Sequence, residues 1–166
     1  MQQTEKYLHY ADANTELVIV PLGGNIKVVF VKGSEINIEN KIEQATKKEV
    51  SMYLPKFEIS NKFGDNFFIN YFNEFGYDLP FSSSADYTKM LSDNRQFNID
   101  DICQITRIKT DEEGLEAAAV TMVMMKNAAM IGEIEHVEFR ADSAFSFYIL
   151  DGNNNDELLF YGQIVE

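Results

Sequence analysis

Two short runs rich in β-branched residues, 15–22 (TELVIVPL) and 25–32 (NIKVVFVK), are joined by Gly23-Gly24. Val, Ile and Thr lose rotamer freedom in a helix and pack well on a pleated surface. A glycine pair between two such runs lets the chain reverse, because glycine takes positive φ freely. This hairpin constrains the fold more than any other feature, since two strands alone are marginal in water and need further strands beside them. Residues 6–11 (KYLHYA) alternate weakly and supply a candidate third strand. Residues 50–59 (VSMYLPKFEI) read as a half-buried strand in which Pro55, having no N–H, belongs at an edge or bulge. Residues 98–110 (NIDDICQITRIKT) alternate from Ile102 through Ile108 and read as a long strand. Near the end, residues 136–139, 145–150 and 158–165 are β-prone. The last two flank Asp151-Gly152-Asn153-Asn154 and predict a closing hairpin.

Helical spacing occurs twice. Residues 34–48 place Ile38, Ile42 and Ala45 on one face of a short amphipathic helix. Residues 65–75 (DNFFINYFNEF) align Phe68, Phe72 and Phe75, with Gly76 as C-cap, and predict a core-facing helix. Residues 81–94 read as loop. His9 reads as a strand residue, and His136, among Glu133, Glu135 and Glu138, as part of a polar loop rather than a metal corner. No metal or cofactor is indicated.

At 166 residues the chain fits one domain, for which ~150 residues is typical, and its 45% hydrophobic content supports a core. A formal charge of −13 argues against nucleic acid or an anionic membrane as partner. No apolar run approaches the ~18 residues of a membrane span. The N-terminus (MQQTEKYLHY) has no signal-peptide pattern, no N-x-Ser/Thr sequon occurs, and the lone Cys103 excludes an internal disulfide framework. These features point to a cytoplasmic location.

The stretch at 111–132, DEEGLEAAAVTMVMMKNAAMIG, resists assignment. Ala117, Ala118 and Ala119 favour helix, Val120, Thr121 and Val123 favour strand, and Gly114 interrupts either. Two plausible conformations and a hinge describe a part that moves. The run Glu112-Glu113-Gly114-Leu115-Glu116-Ala117-Ala118-Ala119-Val120-Thr121 resembles the reactive-loop hinge of the serpins. Four further matches follow the family's order: Leu54-Pro55-Lys56-Phe57, Ala85-Asp86-Tyr87, Phe139-Arg140-Ala141-Asp142-Ser143-Ala144-Phe145-Ser146-Phe147, and Leu159-Phe160-Tyr161-Gly162-Gln163-Ile164-Val165. The resemblance covers nearly the whole chain but only the C-terminal half of a serpin.

That resemblance implies an α+β fold, mainly antiparallel sheet with two or three helices and an exposed reactive loop, in one domain over residues 1–166. The first three strands would belong to a barrel-like sheet that buries them on one face. It implies a suicide-substrate inhibitor of serine proteases: the loop is cleaved and inserts as a new strand into the large sheet. Side chains alternate along a strand, so Leu115, Ala117, Ala119, Thr121 and Val123 would face inward, with Glu116 in solvent. Counting from Gly114 places the scissile bond at Ala128-Ala129, which suits an elastase-like or subtilisin-like protease. Lys126, for a trypsin-like enzyme, and Met130 are the alternatives. Leu115 stands where inhibitory relatives carry Thr or Ser, Gln104 where the family has a buried His, and Ala144 where it has Pro. The resemblance implies an extracellular location, against the cytoplasmic reading above.

Two other readings stand beside inhibition. One is a non-inhibitory serpin-derived module, because the receiving sheet would lack most of its strands in these 166 residues. Self-association at an exposed edge would follow, whereas inhibition would call for a longer parent protein or a complementing N-terminal chain. The other is an enzyme using Asp111, Glu112 and Glu113 as acid and base, for which the sequence offers no nucleophile–His pairing.

Overall fold

A computed structural model of the chain describes residues 2–90, 95–110 and 134–165. These form two compact units, Met1–Phe57 with Thr110–Glu166, and Glu58–Lys109.

The first unit is one seven-stranded sheet. The predicted hairpin pairs β2 (Thr15–Pro21) with β3 (Ile26–Gly33), and Pro21 opposite Lys27 is its last rung. The turn is longer than a glycine pair: Gly24 and Asn25 both take positive φ, and the Leu22 amide donates to the Ile26 carbonyl at 2.7 Å. On one side of the hairpin lie β1 (Gln2–Ala11) and β4 (Thr46–Tyr53). On the other lie β8 (Phe145–Asp151) and β9 (Glu157–Ile164), the predicted closing hairpin. A short strand β7 (His136–Arg140) completes the order β7-β4-β1-β2-β3-β8-β9, every pairing antiparallel except β4–β7.

The sheet is open, where the sequence reading expected a barrel-like one. Its two central strands are buried on both faces, not one: Leu17, Val18, Ile19 and Val20 in β2, and Val28 through Val31 in β3. Their apolar runs are continuous rather than alternating because both faces are covered. Outside the centre, alternation returns. In β1, Tyr7 and His9 are buried and Leu8 is exposed, so the inward face carries the polar-tipped rings.

The helix predicted over 34–48 forms only as α1 (Ile38–Glu43), and from Thr46 the chain is already β4. Its Ile38 and Ile42, with Ala45, pack on the cluster of Leu17, Ile19, Val29, Val31 and Leu150, so the apolar stripe was read correctly. The strand expected over 50–59 is two: β4 ends at Tyr53, and β5 (Phe57–Phe63) follows the break that holds Pro55. A proline cannot donate to a ladder, so the chain leaves one sheet there and enters another.

The second unit is smaller and poorly cored. In it β5 pairs with β6 (Gln104–Thr110) in a two-stranded sheet beside α2 (Phe67–Glu74). The sequence placed α2 correctly, with Gly76 at positive φ just beyond it. It does not face a core, however. No residue of α2 is buried, and Phe72 and Phe75 are 36% and 62% exposed. Its rings pack mainly on one another and on Phe63 and Phe81.

Candidate functional site

The residues read as reactive loop lie outside the described residues. This holds for Glu112, Glu113, Gly114, Leu115, Glu116, Ala117, Ala118, Ala119, Val120 and Thr121, for Ala128 and Ala129, for Lys126 and Met130, and for the acids at Asp111–Glu113. The described residues that flank this segment in sequence are those of β6 and of β7, each taken within its own unit.

On the entry side, β6 is bound to β5 by the Arg107 guanidinium, which donates to Glu58 at 2.8 and 3.0 Å. Along β6 the side chains at 106, 108 and 110 are half-buried and those between are exposed. Gln104 opens the strand and is exposed, so it does not fill the buried position that the family resemblance assigns to a His.

On the exit side, β7 is held more firmly. Each residue from His136 to Arg140 stands in register with one of Glu49 to Tyr53 on β4. Just before it, Glu135 pairs with Lys48 at 2.9 Å, and its carbonyl accepts from the Glu49 amide at 3.0 Å. Phe139 is fully buried, with the Lys32 ammonium 5.5 Å from its ring centre. Arg140 lies 3.9 Å over the Tyr53 ring and bonds Glu138 at 2.9 Å. The next residues keep the anchor: the Ala141 amide donates to Tyr53 at 2.9 Å.

Within this anchor the fold makes a pairing that the sequence did not reveal. Ser51 Oγ is 2.9 Å from His136 Nε2 and 2.9 Å from Thr4 Oγ1. The only signal was register: His136 and Ser51 sit on strands 85 residues apart in sequence. Ser51 is buried and hydrogen-bonded on both sides, so the arrangement ties β1, β4 and β7 together rather than presenting a nucleophile to solvent.

A second polar centre stands at the far side of this sheet. Glu35, in the connection after β3, accepts hydrogen bonds from Ser146 and Tyr148 on β8, and at 3.4 Å from Tyr161 and Gln163 on β9. Partial burial would raise its carboxyl, but the donors, Ser146 and Tyr148 foremost, outweigh this and hold it below the usual range. Burial, then the Glu35 carboxylate, pushes Tyr148 well up. Ala144, where the family has Pro, lines a shallow cleft beside Glu35, with Phe145 and Val165.

His9 keeps to its strand: Nε2 is 3.1 Å from Glu16, whose other oxygen meets Lys32 at 3.2 Å. Among the described residues no group of three or more His, Cys, Asp or Glu is placed to hold a metal ion.

With this geometry in place, the relatives can be set beside it. A family model described as Serpin (serine protease inhibitor) matches residues 1–166. Iripin-4 of Ixodes ricinus is 28% identical over 127 residues, covering 76% of this chain and 30% of its own length. Serpin-Z4 of Hordeum vulgare is 32% identical over 112 residues, covering 68% of this chain and 27% of its own. The solved complex of thyroxine-binding globulin with thyroxine superposes with a TM-score of 0.67 at 22% identity, covering all of this chain and 45% of that one. The chain thus spans under a third of the length of these curated relatives and under half of the solved fold.

Proposed function

Because this chain belongs to the serpin family, we propose that residues 111–133 are the protease-facing loop of a serine protease inhibitor. Residues 1–166 are then the C-terminal portion of one serpin-like domain. The observation that carries this reading is that the segment leaves from β6 in one sheet and returns to β7 in another. A cut between them leaves both ends attached to their own strands. The downstream end stays on β4 through β7, while the upstream end is free to move with β6.

The proposed roles follow from chemistry. Gly114 is the pivot. Ala117, Ala119 and Thr121 are small enough to enter a sheet on its buried face, and Leu115 slows the first step of entry because it is larger than Thr or Ser. Ala128-Ala129 is the bond offered to an elastase-like or subtilisin-like pocket.

A specific observation supports a second reading. Among the described residues, β6 shares its sheet with β5 alone, so these residues supply little of a receiving sheet. On that reading the chain by itself is a non-inhibitory module that is cleaved and released, and trapping needs strands from an N-terminal partner segment.

A denaturing gel of the chain with equimolar elastase, subtilisin or trypsin tests both. A covalent band at the summed mass supports the inhibitor. Cleavage within residues 126–131 without that band supports the module. An uncut chain overturns the assignment of the loop, and repeated turnover of a non-protein ester lost in Glu112→Gln or Glu113→Gln would establish an enzyme instead.

A further inference from the structure

The strand β1 takes part in two pairings that overlap only at Leu8 and His9. Gln2 to His9 stand in register with Tyr53 to Thr46 of β4, and Leu8 to Ala11 with Ile19 to Glu16 of β2. The seven strands are therefore two wings joined at Leu8 and His9. One holds β7, β4 and the start of β1, and the other holds the end of β1 with β2, β3, β8 and β9. Neighbouring strands lie ~4.8 Å apart, so β7 and β3, separated by β4, β1 and β2, would be about 19 Å apart in a flat sheet. The Lys32 ammonium of β3 is nevertheless 5.5 Å from the centre of the Phe139 ring of β7. The sheet bends at the joint, and the two wings meet.

Across the bend runs a chain of polar side chains. His9, at the joint, is buried, and its Nδ1 has no hydrogen-bond partner, so its polar tie is from Nε2 to Glu16 at 3.1 Å. Glu16 stands opposite Lys32 across β2 and β3, and its second oxygen meets the Lys32 ammonium at 3.2 Å. The His9 hydrogen bond first, and then Lys32, hold the Glu16 carboxyl below the usual range against partial burial, so it is the anion that both partners require. The Lys32 side chain is only 25% exposed, and a lysine is seldom withdrawn from water unless it is paired. Its ammonium meets Glu16 and lies over the ring of Phe139, which is fully buried. A ring face attracts a cation within ~6 Å of its centre, more strongly where water is excluded.

We propose that Lys32 is a positioning residue for the inhibition described above: through Phe139 it closes one wing on the other and fixes β7, the strand that follows the loop. The β4 ladder ties β7 to its own wing, whereas Lys32 ties it to the other. This role rests on the reading of residues 111–133 as the protease-facing loop. Between Ala129 and His136 the chain advances seven residues, which span at most about 25 Å. A short tether with a fixed end restricts the segment beyond the scissile bond before the protease arrives. Ordering that is already present is not charged against binding, so a fixed β7 favours capture of the loop.

The test is native-state amide exchange on the 166-residue chain, read as the rate in β7 relative to that in β8, beside the rate at which elastase cuts within residues 126–131. Lys32→Met keeps the stem and removes the ammonium, whereas Lys32→Arg keeps a cation. In Lys32→Met the relative exchange of β7 should rise about tenfold, the size of a partly buried cation–π contact, and loop cleavage should slow. Lys32→Arg should bring both back towards the parent values. Glu16→Gln, which removes the anion holding the ammonium, should move both in the direction of Lys32→Met. A merely structural role would raise exchange in β7 and β8 together, or leave the Arg variant as impaired as the Met variant, and either result overturns the proposal. Unchanged β7 exchange in Lys32→Met overturns it too, as does faster β7 exchange with unchanged loop cleavage. A parent chain that elastase leaves uncut within 126–131 overturns the loop reading and this role with it. The relative exchange of β7 then still shows whether Lys32 holds that strand, so the two failures are told apart.

Discussion

Asp12 sits in the turn between β1 and β2 and bonds both of its oxygens there. One oxygen accepts from the Asn14 and Thr15 amides at 2.8 and 2.7 Å, and the other from Tyr10 at 2.9 Å. The Asn14 amide first, then the Tyr10 hydroxyl, the Thr15 amide and Lys41 lower its carboxyl to about 2, against some loss of hydration. A carboxyl that ionises lower in the folded than in the unfolded chain, where 3.8 is the ordinary value, stabilises the fold above that value. The stability is lost as pH falls through the folded pKa. Between these two values the melting temperature of the parent chain should fall more steeply than that of Asp12→Asn, which keeps the acceptor but not the charge. Thermal melts in steps down to pH 2 check this, and parallel curves would refute it. Other residue-scale features were beyond a sequence reading. Glu35 looks like an acid near a helix start, and its hydroxyl donors lie 111, 113 and 126 residues away. Nothing local announces such a convergence.

At the scale of elements, what was legible depended on whether the signal was local. The β2–β3 hairpin, the β8–β9 hairpin and the apolar stripe of α1 follow from periodicity and turn residues over a few positions, and they were found. Boundaries failed where two local rules met. Pro55 was expected to mark an edge or bulge within one strand, but it divides β4 from β5 between two sheets. The stripe of α2 was real, yet what covers it cannot be written in the helix itself. The segment at 111–123 is judged by the same logic of faces. If it enters a sheet with Ala117 and Ala119 inward, Ala117→Arg would bury an unpaired guanidinium at a cost of several kcal/mol. Each ~1.4 kcal/mol is tenfold in an equilibrium, so the yield of covalent protease complex should fall at least tenfold while cleavage continues. Glu116→Arg, on the opposite face, should leave that yield unchanged. Densitometry of complex and cleaved bands measures the ratio, and equal losses in both variants would remove alternation from the mechanism.

For the whole molecule, the unequal distribution of apolar burial decides how it comes apart. Nearly all fully buried apolar side chains belong to β1–β4, β7 and β8 and the residues that follow them. Among the described residues of 58–109 only Ala85 is a buried hydrophobic. A two-stranded sheet with a short helix has little independent stability, and regions with few buried apolar contacts open at a lower free energy than the core. Native-state amide exchange should therefore resolve two steps. Amides of β5, α2 and β6 should exchange through an opening whose free energy is well below the global value. Those of β2 and β3, buried on both faces, should exchange only with global unfolding. A single opening free energy shared by β6 and β3 would mean that the second unit draws its stability from the first. The two-step outcome bears directly on function, because β6 feeds the proposed reactive loop: an entry strand that opens cheaply lets the loop be presented and cut. The firm attachment of β7 to β4 keeps the downstream end in place while that happens.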